Sequence, residues 1–162
     1  MNTGRRSNLT NLVVLLGILA ALITGITIGA QSALSGRIGG LIGNFKTGVL
    51  VNAIGGLIAG LILLTLLIIK GKGFWQLPGT ALTMAFIAGA MGILIITGVA
   101  FSMQKAGVAA GLSTLILGQM IVSVIADAKG WGGGAPIPIT WPRIAGLIIM
   151  AIGVYLLLPK KG

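Results

Sequence analysis

Apolar residues do not alternate with polar ones along this chain; they come in blocks. Five blocks are long enough to cross a bilayer as helices, at roughly 12–34, 47–69, 80–102, 107–126 and 143–158, since about 20 apolar residues span the hydrocarbon core. The fifth is the shortest and crosses with little tilt or starts deeper. The intervals between them read as connections. SGRIGGLIGNFK is Gly-rich, KGKGFWQLPG carries Gly, Pro and Trp75, and DAKGWGGGAPIPITWP carries both breakers with Trp131 and Trp141. Trp at such boundaries forms the aromatic belt of a membrane protein. The connection MQKAG is so short that the third and fourth spans must form a tight antiparallel hairpin. Arg5 and Arg6 ahead of the first block resemble a twin-arginine motif. The block exceeds the 7–15 residues of a signal core and four more follow, so it reads as a retained helix. The pattern predicts one all-α integral membrane domain, residues 1–162, with five transmembrane helices.

Composition agrees. Of 162 residues 56% are hydrophobic and 7% charged, against about 25% charged in soluble domains, and the mean hydropathy is +1.12. The net charge of +10 would suggest nucleic acid for a soluble protein. Here the cations stand singly or in pairs beside apolar blocks, without a basic face interleaved with aromatics, so anionic lipid headgroups are the expected partner and nucleic acid is not. The chain has no Cys and no His, which excludes disulfides, thiol chemistry and imidazole acid–base catalysis. With Asp127 the sole carboxylate, paired-acid mechanisms fail within one chain. No enzyme, metal site or cofactor is expected.

The same cations bear on orientation. With five crossings, Arg5, Arg6, Lys70, Lys72, Lys129 and Arg143 share one side, and Arg37, Lys46, Lys105, Lys160 and Lys161 the other, six against five. The positive-inside rule needs a clear excess. Either the N-terminal Arg pair decides a weak bias, or chains insert both ways and pair antiparallel. In the second case two five-helix chains build an inverted repeat of the kind many transporters carry in one chain.

Within the spans, small residues recur four apart: Gly25 and Gly29, Gly56 and Gly60, Ala88 and Gly92, Gly107 and Gly111. Such pairs permit close helix approach and predict a tight bundle. Polar residues form stripes. Thr24, Thr27, Gln31 and Ser35 share one face of the first span, and Gln119, Ser123 and Asp127 one face of the fourth; Asn52 stands in line with Gly56 and Gly60. Polar groups in hydrocarbon need partners or a wet cavity, so Gln31, Ser35, Asn52, Gln119 and Ser123 either bond between helices or line a substrate site. The Gln amides suit a neutral or zwitterionic polar ligand rather than a bare cation. Asp127, about 12 Å along its helix from Gln119, lies near the interface. It either pairs with Lys129 or Arg143, or acts as a proton or cation handle at the mouth of a cavity.

IGAQSALSGRIG, the Gly-rich start of the second span, LGQMIVSVIADAKGW and TWPRIAGLIIMAIGVYLL together resemble the YdcZ-like family of the drug/metabolite transporter superfamily. The likeness covers most of the chain from about Gly29 onward, and Gly118–Gln119 followed by Asp127 and Gly130 is its most specific piece. Arg37, Gly146 and Gly153 fit the pattern, whereas Ser35 stands where the family has Asn. The resemblance implies a multi-pass protein of the bacterial inner membrane whose five-helix halves pair in inverted orientation around a central site. It names no substrate. The Glu that the superfamily's smallest members use for proton-coupled drug antiport has no counterpart in the first span.

Taken together, these readings predict a secondary transporter of a small polar metabolite or drug-like compound, working by alternating access as an antiparallel homodimer. The alternative is a non-transporting membrane subunit or scaffold. A passive channel is weaker, since no ring of charge is in view.

Overall fold

The computed structural model describes residues 3–71, 73, 76–131 and 135–159. Lys72, Trp75, Lys160 and Lys161, which enter the charge and interface readings above, lie outside the described residues. Those residues form five α-helices: α1 (Thr3–Ile42), α2 (Asn44–Lys70), α3 (Gly79–Ala106), α4 (Val108–Ala128) and α5 (Trp141–Leu157). Among them α1 from Val14, α2, α3 and α4 are long and apolar enough to cross a membrane, and α5 is a shorter apolar helix of 17 residues, about 25 Å long. Large apolar side chains such as Leu22, Ile26, Phe86 and Ile149 face outward, the arrangement expected where lipid, not water, is the solvent.

The helix breaks are tighter than the sequence suggests. SGRIGGLIGNFK, expected as a loop, stays helical through Ile42, and α2 resumes at Asn44. Only Gly43 interrupts, with φ 90°, a conformation that costs glycine little. Its N–H donates to the Gly39 carbonyl at 2.9 Å, and its own carbonyl accepts from the Thr47 N–H and hydroxyl. Gly107, φ 81°, plays the same part alone between α3 and α4, so MQKAG reduces to a one-residue hinge. Pro142 near the start of α5 supplies a preset φ and lacks an N–H that the first turn would leave unpaired anyway.

α3 is the central helix, packed against α1, α2 and α4, while among the described elements α5 touches α4 alone. The register follows from which residues meet. Along the α2–α3 contact Gly48 faces Thr97 and Asn52 faces Gly92, so those helices are antiparallel. α1 runs parallel to α3, with Gly36 on Met103 and Ser32 near Val99.

Nearly everything buried lies at the end of the bundle that holds Gly43 and Gly107. Ser32, Ser35, Thr47, Val99, Ala100, Met103 and Ala110 are buried there, together with Gly36, Gly39, Gly48 and Gly111. Backbones meet directly at this end. A Cβ on Gly36 would come within 2.6 Å of Met103 Cβ, and one on Gly48 would overlap the Thr97 hydroxyl and reach 2.6 Å from the Ile93 carbonyl. Asn44 and Gln104 hydrogen-bond across the two hinges.

The expected small-residue pairs are only partly used. Gly92 and Gly111 sit at close contacts and Gly29 meets Leu112 at 3.6 Å, but Gly25, Gly56 and Gly60 have nothing within 4 Å of a Cβ position. The glycines that matter most, Gly36, Gly39 and Gly48, lie in and beside the segment expected to be a loop.

Gly48→Ala is therefore expected to lower stability by about 1–3 kcal/mol, because rigid backbone stands in the way. Gly56→Ala, with open space, should stay within about 0.5 kcal/mol. Thermal unfolding of the detergent-solubilised protein compares them, and equal losses would contradict the packing described.

Candidate functional site

Polar groups inside a membrane protein must bond or face something polar. Most hydroxyls of the spans satisfy this within their own helix. Thr24, Thr27, Thr97, Thr114 and Ser123 each donate to the carbonyl four residues earlier, and Ser113 to the carbonyl three earlier. Asn52 also bonds locally, its Nδ2 donating to the Gly48 carbonyl at 2.8 Å. A Cβ on Gly92 would lie 2.6 Å from Asn52 Oδ1, so this side chain fills the gap that glycine leaves.

Gln31 and Gln119 behave differently. Neither side-chain amide is hydrogen-bonded to another described residue. Both line one cavity of about 260 Å³ between α1, α3 and α4, with Ser32, Val99, Leu112 and Leu115 completing its wall. α1 and α4 touch only sparsely, and this gap between them is where the two amides converge. The cavity has two wider neighbours. Gln31 also borders a cleft of about 910 Å³ between α2 and α3, shared with Asn52 and the open Gly56. Gln119 also borders a groove of about 720 Å³ between α3 and α4, shared with Ser123, Ser102 and Thr114. The composite is mostly apolar with a few convergent polar groups, as small-molecule sites are. It presents amide donors and acceptors and no charged side chain, and among the described residues no cluster could hold a metal ion.

Of the sequence-predicted residues, the structure thus brings Gln31 and Gln119 together, with Asn52 and Ser123 on the adjoining walls. Ser35 does not join them. It is 1% exposed, locked beside the Gly36–Met103 contact and absent from the walls of these cavities, because its position on α1 turns toward the tightly packed end. Ser32, one residue beyond Gln31, takes a wall position instead. The readable signal was the run Gly25, Gly29, Ser32, Gly36, Gly39, whose three- and four-residue steps keep small residues on one face of α1.

Asp127 stands apart. Arg143 Nη2 donates to its Oδ2 at 3.2 Å, joining the end of α4 to the start of α5, and its backbone carbonyl accepts from Gly130 and Ile137. Lys129 turns elsewhere, its Nζ 5.0 Å from the centroid of Trp131. Asp127, Arg143 and Ser123 border a cleft of about 370 Å³ between α4 and α5, distinct from the cavity of the glutamines.

If Gln31 and Gln119 have no partner in the fold, Gln119→Leu should leave thermal stability unchanged or raised. Asn52→Ala should lose about 0.5–1.5 kcal/mol, because it forfeits a made bond and its packing. A Gln119→Leu protein that melts well below the parent would show the amide to be structural.

The model of the family described as "Putative inner membrane exporter, YdcZ" matches residues 16–156 of the chain. No curated protein and no solved structure matches it.

Proposed function

The chain belongs to the YdcZ family of inner membrane exporters and is a multi-pass inner membrane protein; on that premise we propose that it exports a small neutral or zwitterionic polar solute by alternating access, as an antiparallel homodimer. The observation that carries the solute site is the convergence of two unbonded amides, Gln31 and Gln119, on one cavity within the spans. Both glutamines are exposed in the single chain, and an amide left unpartnered against lipid costs on the order of 2–7 kcal/mol. A fold that satisfies the hydroxyls of Thr24, Thr27, Thr97, Thr114 and Ser123 locally, yet leaves these two amides facing a cavity, is suited to binding something that completes them. Amides donate and accept at once, so they fit hydroxyl, amide or paired-ion groups and discriminate poorly for a bare ion.

Two features support a second copy. Cations divide almost evenly between the ends, six and five, so insertion has little reason to favour one orientation. The clefts beside the cavity open outward between α2 and α3 and between α3 and α4, so a single chain encloses the site on part of its perimeter only. An inverted partner would close it and give the two-fold relation on which alternating access rests in repeat-built transporters. Asn52 and Ser123 shape the walls, and Asp127, committed to Arg143, takes no part in solute binding on this reading. A membrane subunit or scaffold is the second reading, favoured by the uncovered Gly56 and Gly60 face of α2.

Gln119→Ala separates the two. For an exporter it abolishes solute-dependent thermal stabilisation and export across a panel of neutral and zwitterionic metabolites, while the oligomer persists. Loss of the oligomer instead would favour the scaffold. Orientation is checked through the absence of Cys from the chain. A single Cys appended after Gly162 should be labelled to about one half by an impermeant maleimide in sealed vesicles, the fraction that equal insertion in both directions gives. Labelling that is complete or absent would exclude the antiparallel homodimer.

A further inference from the structure

The α4–α5 cleft contains an arrangement that solute export does not use. Arg143 bonds Asp127 through Nη2 alone, and its Nη1 is buried without an acceptor among the described residues. A guanidinium nitrogen left so is costly, because it has lost water and gained nothing. Asp127 likewise spends only Oδ2 in the pair; Oδ1 accepts nothing from the described residues, and the side chain is 46% exposed. An exposed, unsatisfied carboxylate oxygen therefore stands at the mouth of the cleft, beside a partly exposed guanidinium whose inner nitrogen lacks an acceptor. Lys129, the other cation at this end of α4, is held over Trp131. Trp131 and Trp141, both exposed, place this end at the level of the headgroups.

Behind the pair the cleft turns apolar. α4 and α5 run antiparallel here, so Asp127 meets Arg143 at one end while Met120 meets Met150 at the other, with Val124, Leu147 and Ser123, its hydroxyl spent on the Gln119 carbonyl, between. Seven residues separate Asp127 from Met120, about 10 Å of helix. The wall thus offers a charged head position, then an apolar channel leading toward the hydrocarbon, lined by two adaptable methionines. A soluble zwitterion would fill the head position and leave the channel empty, whereas a phospholipid fills both.

We propose that this cleft binds an aminophospholipid, with its phosphate on the partly exposed Arg143 guanidinium, its primary ammonium on Asp127 Oδ1 and an acyl chain along Val124, Leu147, Met120 and Met150. The headgroup selectivity follows from the pair. A choline headgroup has no N–H to give Asp127, and a glycerol headgroup sets its phosphate beside an uncompensated carboxylate. A charge-assisted bond at each atom makes the ethanolamine lipid about tenfold tighter than either. The site is independent of the glutamine cavity, and its failure would leave the export reading untouched.

The test uses the full chain in dodecyl maltoside, titrated with dioleoyl phosphatidylethanolamine, phosphatidylcholine or phosphatidylglycerol, with retained lipid counted by native mass spectrometry. The wild-type chain should retain the ethanolamine lipid at about a tenfold advantage. Arg143→Gln should lose it, and Asp127→Asn should erase the preference over phosphatidylglycerol. Leu147→Trp, which fills the channel and spares the ion pair, should weaken all three lipids without loss of the folded chain; this variant and Asp127→Asn decide the matter if Arg143→Gln does not fold. Phosphatidylglycerol bound as well as or better than the ethanolamine lipid would overturn the proposal, since Asp127 would then read no ammonium. So would a preference that survives these substitutions. Loss of a second copy, rather than of lipid, in Arg143→Gln would assign the guanidinium to a carbonyl of the partner and also overturn it.

Discussion

Where Gly48 lies against Thr97 and the Ile93 carbonyl, and Gly36 against Met103, two backbones approach α3 as closely as side chains allow. The rest of the bundle hangs on those contacts. In lipid there is no hydrophobic gain from bringing apolar helices together, so van der Waals contact between close surfaces has to hold them. This chain makes such contact at one end, with only Val99, Ala100, Met103 and Ala110 as buried apolar side chains among the described residues. One-residue hinges at Gly43 and Gly107 deliver α1 and α2, then α3 and α4, into contact there. Away from that end the helices diverge, and clefts between them are the geometric consequence. The cavity of the glutamines is thus made by where packing stops.

The register of those contacts also decides which polar groups meet. Ser32 near Val99 is one helical turn from Gly36 on Met103, and Gln31, next to Ser32, is carried to the gap facing α4. A shift of one residue along α1 would rotate Gln31 about 100° away and dissolve its pairing with Gln119. The local bonding of Thr24, Thr97, Thr114 and Ser123 matters for the same reason. Because each of these four hydroxyls donates within its own helix, none of them donates to the amides, which stay available to a ligand.

The spans were legible because bilayer thickness imposes a length that hydropathy reveals directly; the α3 and α4 boundaries expected from sequence differ from those observed by a few residues. The first connection was not, because Gly and Asn signal turns in isolation while Gly36 and Gly39 serve contact with Met103 and Ala100 in the fold. The contact offsets the helix penalty of glycine, and only Gly43 breaks. Pairs four residues apart identified Gly92 and Gly111 but also Gly56 and Gly60, since spacing marks a face without naming what lies opposite it. Polar stripes placed Gln31 and Gln119 each on one helix face, yet their convergence needed the parallel packing of α1 on α3, which no local pattern encodes. Ser35 shared the stripe and was drawn inward because a stripe three turns long spans both the cavity and the packed end.

The lone carboxylate acquires a meaning from this geometry. On the count of five crossings, six cations share the side of Asp127 and five the other. Asp127 is bonded to Arg143 at 3.2 Å, and its charge brings the formal charge of the two sides to +5 each. Acidic residues generally weigh little in setting topology, because in loops they are dispersed and hydrated. A carboxylate fixed to one guanidinium differs, since it cancels that charge locally before the membrane surface feels it. Balance of this kind matches the antiparallel pairing proposed above, in which each chain must be at home in both orientations. An acidic residue at any other described helix end would tip the count, and one within a span would have to be desolvated. The pair at α4 and α5 is the position where a carboxylate both evens the ends and finds a partner.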